Sequence, residues 1–260
     1  MLALLDGDII GYRCAASAEN DPVEIALIRT DRLLQDILHE TGASSFKCYL
    51  TGSSNFRKEL FPDYKANRKQ PRPTHLEACR QFLCKEYGAV ITDGHEADDE
   101  LGINQLSWEE LSRTLDGENN PTYGTVIGNS IICSIDKDLL QIPGRHYNFV
   151  KKEFKEVLYI DGIRHFYAQM LIGDRSDNVT GVEGIGEKKA AKLLNSITNE
   201  EEMFDCVREL YKDDYRFLLN GQLLWIWREY KGIWQPIKSL SIGTTNETDL
   251  TNEEIQETTT

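Results

Sequence analysis

Residues 169 to 192 read Gln169-Met-Leu-Ile-Gly-Asp-Arg-Ser-Asp-Asn-Val-Thr-Gly-Val-Glu-Gly-Ile-Gly-Glu-Lys-Lys-Ala-Ala-Lys192, and the rest of the chain is organised around them. The apolar run Ala168, Met170, Leu171, Ile172 stops at a polar break that carries Asp174 and Asp177. Residues three apart in a helical turn project to the same side, so both carboxylates can reach one divalent cation. Gly181-Val-Glu-Gly-Ile-Gly186 then leads into residues 187 to 194, which read as a helix. Glycine lets backbone N–H groups come close to a ligand. A helix start offers unpaired N–H groups and positive dipole character. With Lys188, Lys189 and Lys192 nearby, Gly184 and Gly186 read as part of a phosphate clamp. A dinucleotide-binding glycine loop would need a strand directly before it, and here an Asp-rich turn stands in that place.

The 260 residues suffice for one large domain or two modest ones, and 40 % of them are apolar. Cys14, Cys48, Cys79, Cys84, Cys133 and Cys206 form no Cys-x-x-Cys pair and no zinc spacing, so they read as reduced thiols of a cytoplasmic protein. For a phage-encoded chain that would be the host cytoplasm. The apolar start is too short for a signal peptide. No apolar run approaches a membrane span. Net charge −14 argues against a general nucleic-acid coat, but the charge is uneven. Ser53 to Lys85 holds eight Lys/Arg against three acids, a +5 segment in an acidic chain. Gly243 to Thr260 holds five acids and no base.

Taken in order, Leu2 to Leu5 is a short strand ending at Asp6-Gly7-Asp8. Residues 23 to 40 have helical apolar spacing, and Phe46 to Leu50 is a second strand. In the basic stretch 55 to 73, prolines 62, 71 and 73 break any continuous helix. Lys65, Arg68, Lys69 and Arg72 could line one side there, with Phe56 and Tyr64 offering ring faces for base stacking. His75 to Tyr87 is helical, and Ala89 to Thr92 a third strand. Glu96, Asp98, Asp99 and Glu100 put four acids in five positions at a helix start, more than dipole complementarity requires. Residues 107 to 124 read as a surface insertion with a short helix. Asn129 to Ile135 is a fourth strand, followed by Asp136 and Asp138. His146 to Val150 is a further strand, Leu158 to Ile160 an edge, and Ile163 to Ile172 a helix. Met203 to Trp227 is helical in pieces. The acidic segment from about Ile242 reads as disordered.

Alternating strands and helices imply a largely parallel α/β sheet, whose carboxyl ends share one edge. Asp6, Glu96, Asp98, Asp99, Asp136 and Asp138 would converge there, with Asp174 and Asp177 joining from the next unit. So many carboxylates need cations. Oxygen donors without Cys or His select Mg²⁺ or Mn²⁺. Two such ions could activate a water and stabilise the departing oxygen of a phosphodiester. Lys65 and Arg68 could neutralise the phosphate's developing charge.

Leu-Asp-Gly at 5–7, Phe-Arg-Lys-Glu-Leu at 56–60, Tyr-Lys-Ala-Asn-Arg at 64–68, Glu-Ala-Asp-Asp at 96–99, Asp-Lys-Asp at 136–138 and the Gly-Asp-x-x-Asp-Asn…Gly-Ile-Gly run at 173–186 together resemble the 5′-nuclease (flap endonuclease) superfamily, most of all short phage-type 5′→3′ exonucleases. The resemblance covers roughly residues 1 to 195. It implies a PIN-like central, parallel-rich sheet flanked by helices over 1–160, with a helical arch at about 55–87. It also implies a helix–three-turn–helix unit within 161–235, ahead of the acidic tail 242–260. The eight acids Asp6, Glu96, Asp98, Asp99, Asp136, Asp138, Asp174 and Asp177 would be metal-site residues, and Lys65 and Arg68 catalytic arch bases. Arg13, Arg57, Tyr64, Gly184, Gly186, Lys188 and Lys189 would bind nucleic acid. K⁺ would sit at the helix–three-turn–helix. The implied activity is 5′→3′ hydrolysis of duplex DNA, extending to 5′ flaps and RNA–DNA hybrids, in phage-type replication or recombination. The competing readings are a non-catalytic junction-binding protein and a single-strand RNase of the wider PIN group.

Two departures from the family pattern matter. A metal-site Asp of the family falls on Gly52 here, with Asp8 the candidate substitute. The family's basic residue before the Gly-Asp motif falls on Gln169. The short span from Lys65 to Glu96 favours exonuclease action over flap cutting.

Overall fold

The structure is a computed structural model and describes residues 1–110 and 129–240, with the side chains of 108–110 left aside. A six-stranded sheet organises the first part. In chain order its strands are β1 (Leu2–Asp6), β2 (Ser45–Leu50), β3 (Val90–Ile91), β4 (Ser130–Cys133), β5 (Gly144–Asn148) and β6 (Glu153–Val157). In space they run β3-β2-β1-β4-β5-β6, all parallel except the β5–β6 pair.

The strands alternate faces because side chains in a strand point to opposite sides in turn. Ala3 and Leu5 of β1 pack with Ile10, Leu34, Ile37 and Leu83 on one face. Those partners come from α1 (Gly7–Ser17), α2 (Val23–Thr41) and α4 (Leu76–Tyr87). Leu2 and Leu4 pack on the other face with Ala97 and Leu101 of α5 (Ala97–Glu110). From β1 the chain winds outward through β2 and β3, then returns to lay β4 on the opposite side of β1. The strand order therefore reverses between β1 and β4. In open α/β sheets the crevice at such a reversal is where ligands sit. Asp6 closes β1, and Asp136 and Asp138 follow β4 at that crevice.

The second part is helical: α6 (Tyr159–Ile172), α7 (Glu187–Leu194), α8 (Glu200–Leu210) and α9 (Asp214–Leu224). Phe166, Tyr167, Met170, Phe204, Phe217 and Trp234 make its core. Between α6 and α7 lies a small antiparallel hairpin, β7 (Gly173–Asp174) and β8 (Val179–Thr180). Gly173 ends α6 at φ 75°, and a Cβ there would meet the Gly181 nitrogen at 2.2 Å. Only glycine combines that dihedral with that approach, and the turn it makes swings Asp174 back toward the sheet.

Several expectations need correction. The helix α1 directly after Asp6 was not anticipated. The edge strand is 153–157 rather than Leu158 to Ile160, and Tyr159 already begins α6, which starts four residues before the expected Ile163. The segment 55–87 has helix at both ends, α3 (Phe56–Leu60) and α4, with turns between. The expected insertion at 107–124 overlaps the end of α5, and its remainder lies outside the described residues, as does the tail 242–260. No helix among the described residues is long and apolar enough to cross a membrane. All six cysteines are free.

Buried His146 on β5 makes the fold acid-sensitive. Its Nε2 lies 2.7 Å from the Ile142 carbonyl and donates to it. Burial, with Lys155 and His165 nearby, pushes its pKa down to about 4. The folded state thus holds a neutral imidazole that the unfolded chain protonates near 6.5. That stability is present above pH 6.5 and is lost as pH falls toward 4, by roughly 3 kcal/mol in total. A His146→Asn variant should show a shallower fall in denaturant midpoint between pH 7 and 4.5. Equal falls would mean that His146 does not carry the effect.

Candidate metal centre and nucleic-acid interface

A cavity of about 710 Å³ opens at the β1–β4 crevice, walled on its far side by α6 and the start of α7. Six of the eight expected metal-site acids line it: Glu96, Asp98, Asp136, Asp138, Asp174 and Asp177. Asp6 does not line it but lies beneath. Asp6 caps α1, accepting from the Ile9 amide at 3.0 Å, and accepts from the Ser134 hydroxyl at 2.6 Å. Ser134 in turn accepts from the Asp136 amide at 3.0 Å. This one buried hydroxyl ties the acids of two adjacent strands together. Nothing in the sequence marks Ser134 for this role, because a serine before an acidic turn is ordinary turn chemistry.

The acids divide by electrostatic state. Glu96 and Asp177 are held by cations: Lys65 pairs with Glu96 and lies 3.5 Å from Asp177, and Arg68 pairs with Asp177. Burial alone would raise Glu96, but Arg57 and Lys65 hold it below the ordinary value. Asp6 and Asp138 behave oppositely. Desolvation pushes Asp6 up to about 7, against the lowering effect of its hydrogen bonds. Desolvation and the charges of Asp136, Asp174 and Asp177 push Asp138 up to about 7. Asp98 and Asp136 are raised for the same reasons, burial first and neighbouring carboxylates second. A carboxylate raised this way is one whose charge lacks compensation.

The donor set therefore fits hard divalent cations: oxygen donors, half-buried, carrying more negative charge than Lys65 and Arg68 neutralise. Among the described residues no three acids converge into a finished cage, so the arrangement is a charged basin rather than a closed coordination sphere. The ammonium of Lys65 and the guanidinium of Arg68 lie where part of a cation's charge would act. The turn that carries them is latched onto the Asp174 loop. Lys65, at φ 60°, donates its amide to the Asp177 carbonyl at 3.0 Å, and Asn178 donates to the Asp63 carbonyl at 3.0 Å.

Three assignments need correction. Asp99 is fully buried, and both of its oxygens are committed. Arg57 binds it through two nitrogens at 2.7 and 2.8 Å, and the amides of Glu96 and Trp227 donate to it at 3.0 Å each. It has no lone pair aimed at the cavity. Arg57 is likewise 2 % exposed, and its remaining N–H groups go to the Leu223 and Trp225 carbonyls. It is an internal clamp rather than a nucleic-acid contact. Tyr64 is 4 % exposed, its hydroxyl 2.8 Å from Asp177 and 3.1 Å from Glu96. Its ring is not open for stacking. The Phe56 ring is used too, stacked on Trp227 at 4.9 Å.

Gly52 and Asp8 do not supply the family's further acid. A Cβ at Gly52 would meet the Thr92 carbonyl at 2.1 Å. Asp8 pairs with Arg80 and accepts the Thr51 amide at 2.8 Å, away from the cavity wall. Of the nucleic-acid residues, Lys188 and Lys189 stand exposed on the first turns of α7 behind Gly184 (φ 74°) and Gly186. Arg13 is exposed on α1, outside the cavity lining.

No protein-family model matches the chain. A 5′-3′ exonuclease of Bacillus subtilis is 30 % identical over 182 residues, 67 % of this chain and 59 % of that one. The 5′-3′ exonuclease of Mycoplasma pneumoniae is 28 % identical over 257 residues, 85 % of this chain and 80 % of that one. A DNA polymerase I of Caldicellulosiruptor bescii is 30 % identical over 155 residues. This chain spans 59 % of the first of these relatives and 18 % of the polymerase. Among solved structures, T5 5′-exonuclease with bound zinc shares the fold at a TM-score of 0.61 and 18 % identity, over 86 % of this chain and 88 % of that one. A T5 flap endonuclease in complex with DNA and metal ions shares it at 0.56 and 17 %, over 84 % and 86 %. Sequence likeness to several 5′-3′ exonucleases, on a fold shared with the T5 enzyme, agrees with the motif order and supports placing this chain in the 5′-nuclease superfamily.

Proposed function

We propose that the chain is a divalent-metal-dependent nuclease that hydrolyses phosphodiesters from the 5′ ends of duplex DNA, with RNA in RNA–DNA hybrids and 5′ flaps as further substrates. The observation that carries this reading is the cavity lined by six carboxylates at the strand-order reversal. Asp98, Asp136, Asp138 and Asp174 would hold Mg²⁺ or Mn²⁺, with Asp6 supporting them through Ser134. Bound there, the cations would lower the pKa of a water and stabilise the departing oxygen. Lys65 and Arg68 reach the same basin and would neutralise a phosphate entering it, releasing Glu96 and Asp177. Lys188 and Lys189 would hold the duplex backbone, with K⁺ beside the α6–α7 turn, and phage-type replication or recombination is the setting the reading favours.

The test is a time course on linear duplex labelled separately at each end, with a 5′-flap duplex in parallel, under Mg²⁺, Mn²⁺ or EDTA. The expected result is release of the 5′ label as mononucleotides, with metal only. Release of an intact flap would shift the reading to endonucleolytic cutting. Retarded but uncut duplex at every metal concentration would replace it with the non-catalytic junction binder.

A further inference from the structure

We infer that Gln169 is a positioning residue for Asp138, kept in the correct orientation by Gln141. The inference rests on the reading of the cavity as a divalent-cation site. Gln169 lies on α6 at the cavity wall, where its amide nitrogen donates to Asp138 Oδ1 at 2.6 Å. Its own Oε1 accepts from the Gln141 amide. Gln141 is 1 % exposed and closes the 3-10 turn that Asp138 opens. The same Gln141 nitrogen donates to the Leu224 carbonyl at 2.7 Å, and its Oε1 accepts from the Ile226 amide at 3.3 Å.

The direction of this chain is dictated by backbone groups. A carbonyl only accepts and an amide N–H only donates. Leu224 and Ile226 therefore fix which end of the Gln141 amide faces which way. Gln141 must then present its nitrogen to Gln169, and Gln169 must present its nitrogen to Asp138. Neither amide can flip without setting like against like. Asp138 thus has one oxygen pinned by a neutral donor. Glu96 and Asp177 are pinned by cationic side chains, which bring charge that competes with a metal ion. At Asp138 the orientation comes without that competing charge. The relay also runs from the C-terminal segment to the metal basin, since the Gln141 carbonyl accepts from Arg228 at 3.0 Å.

The test is Mn²⁺ binding to the DNA-free protein by calorimetry, alongside the denaturant midpoint, for wild type, Gln169→Met and Gln141→Met. Partners that orient a metal ligand typically change affinity 10- to 100-fold when lost. Gln169→Met should weaken Mn²⁺ at least about tenfold with its midpoint unchanged. Gln141→Met, which leaves Gln169 free to flip, should weaken it less but in the same direction. Wild-type affinity in Gln169→Met would overturn the inference, and so would an affinity loss that only tracks a lowered midpoint. No Mn²⁺ binding by wild type would instead remove the metal-site reading beneath it.

Discussion

Arg57→Ala should cost the fold about 3–5 kcal/mol, the range for removing one partner of a buried ion pair. Asp99, fully buried, would be left charged with only two backbone amides for company. Arg57 also joins parts of the chain that are far apart in sequence. Its guanidinium binds Asp99 at the start of α5 and two carbonyls at the end of α9 and just after it. Losing it would loosen the helical part from the sheet. The measurement is a denaturant midpoint, with duplex affinity in parallel. A variant with the wild-type midpoint and weakened DNA binding would restore Arg57 to the nucleic-acid role that its place in the basic stretch suggests.

That contrast marks how far the sequence could be read. Strands ending in acids, alternating with helices, were enough for a parallel sheet whose carboxyl edge gathers Asp6, Asp98, Asp136 and Asp138. Asp174 and Asp177 reach the same basin too, but from the β7–β8 hairpin rather than from the helical turn that their spacing implies. What the sequence could not separate was Asp98 from Asp99, or Lys65 from Arg57. Each pair lies in one charged run, and its members differ only in which way the chain turns them. Asp99 points inward because its oxygens meet Arg57 and two amides, one of them from Trp227, 128 positions away. Partners that distant leave no local signature. Tyr64 departs from expectation for a related reason: an aromatic beside a lysine reads as a stacking ring, whereas its hydroxyl is spent on Glu96 and Asp177. Gln141 and Ser134 went unmarked because their residue types carry no metal chemistry of their own. Helix α1 is hidden in the sequence because Asp6 reads as a strand-end acid, although it also caps the helix that follows.

Asp136→Asn should abolish cleavage and stabilise the metal-free protein, and the two opposite signs together identify a functional carboxylate. The substitution keeps shape and one accepting oxygen, so the Asp138 amide, 2.9 Å from Asp136 Oδ1, need not lose its partner. It removes a half-buried charge that Asp174 and Asp177 repel and that desolvation already disfavours. Without divalent cations the midpoint should therefore rise, by about 1 kcal/mol or less given partial solvent screening. Catalysis goes the other way. A cation's stabilisation of the reacting phosphate is worth several kcal/mol, and each 1.36 kcal/mol is a factor of ten. A loss of roughly three orders of magnitude in single-turnover rate should follow. The two signs arise because natural proteins keep strained functional groups at the expense of stability. Wild-type cutting by Asp136→Asn would remove Asp136 from the site. Loss of stability together with activity would instead make it a structural residue, and the basin would have to be rebuilt around Asp98, Asp138 and Asp174.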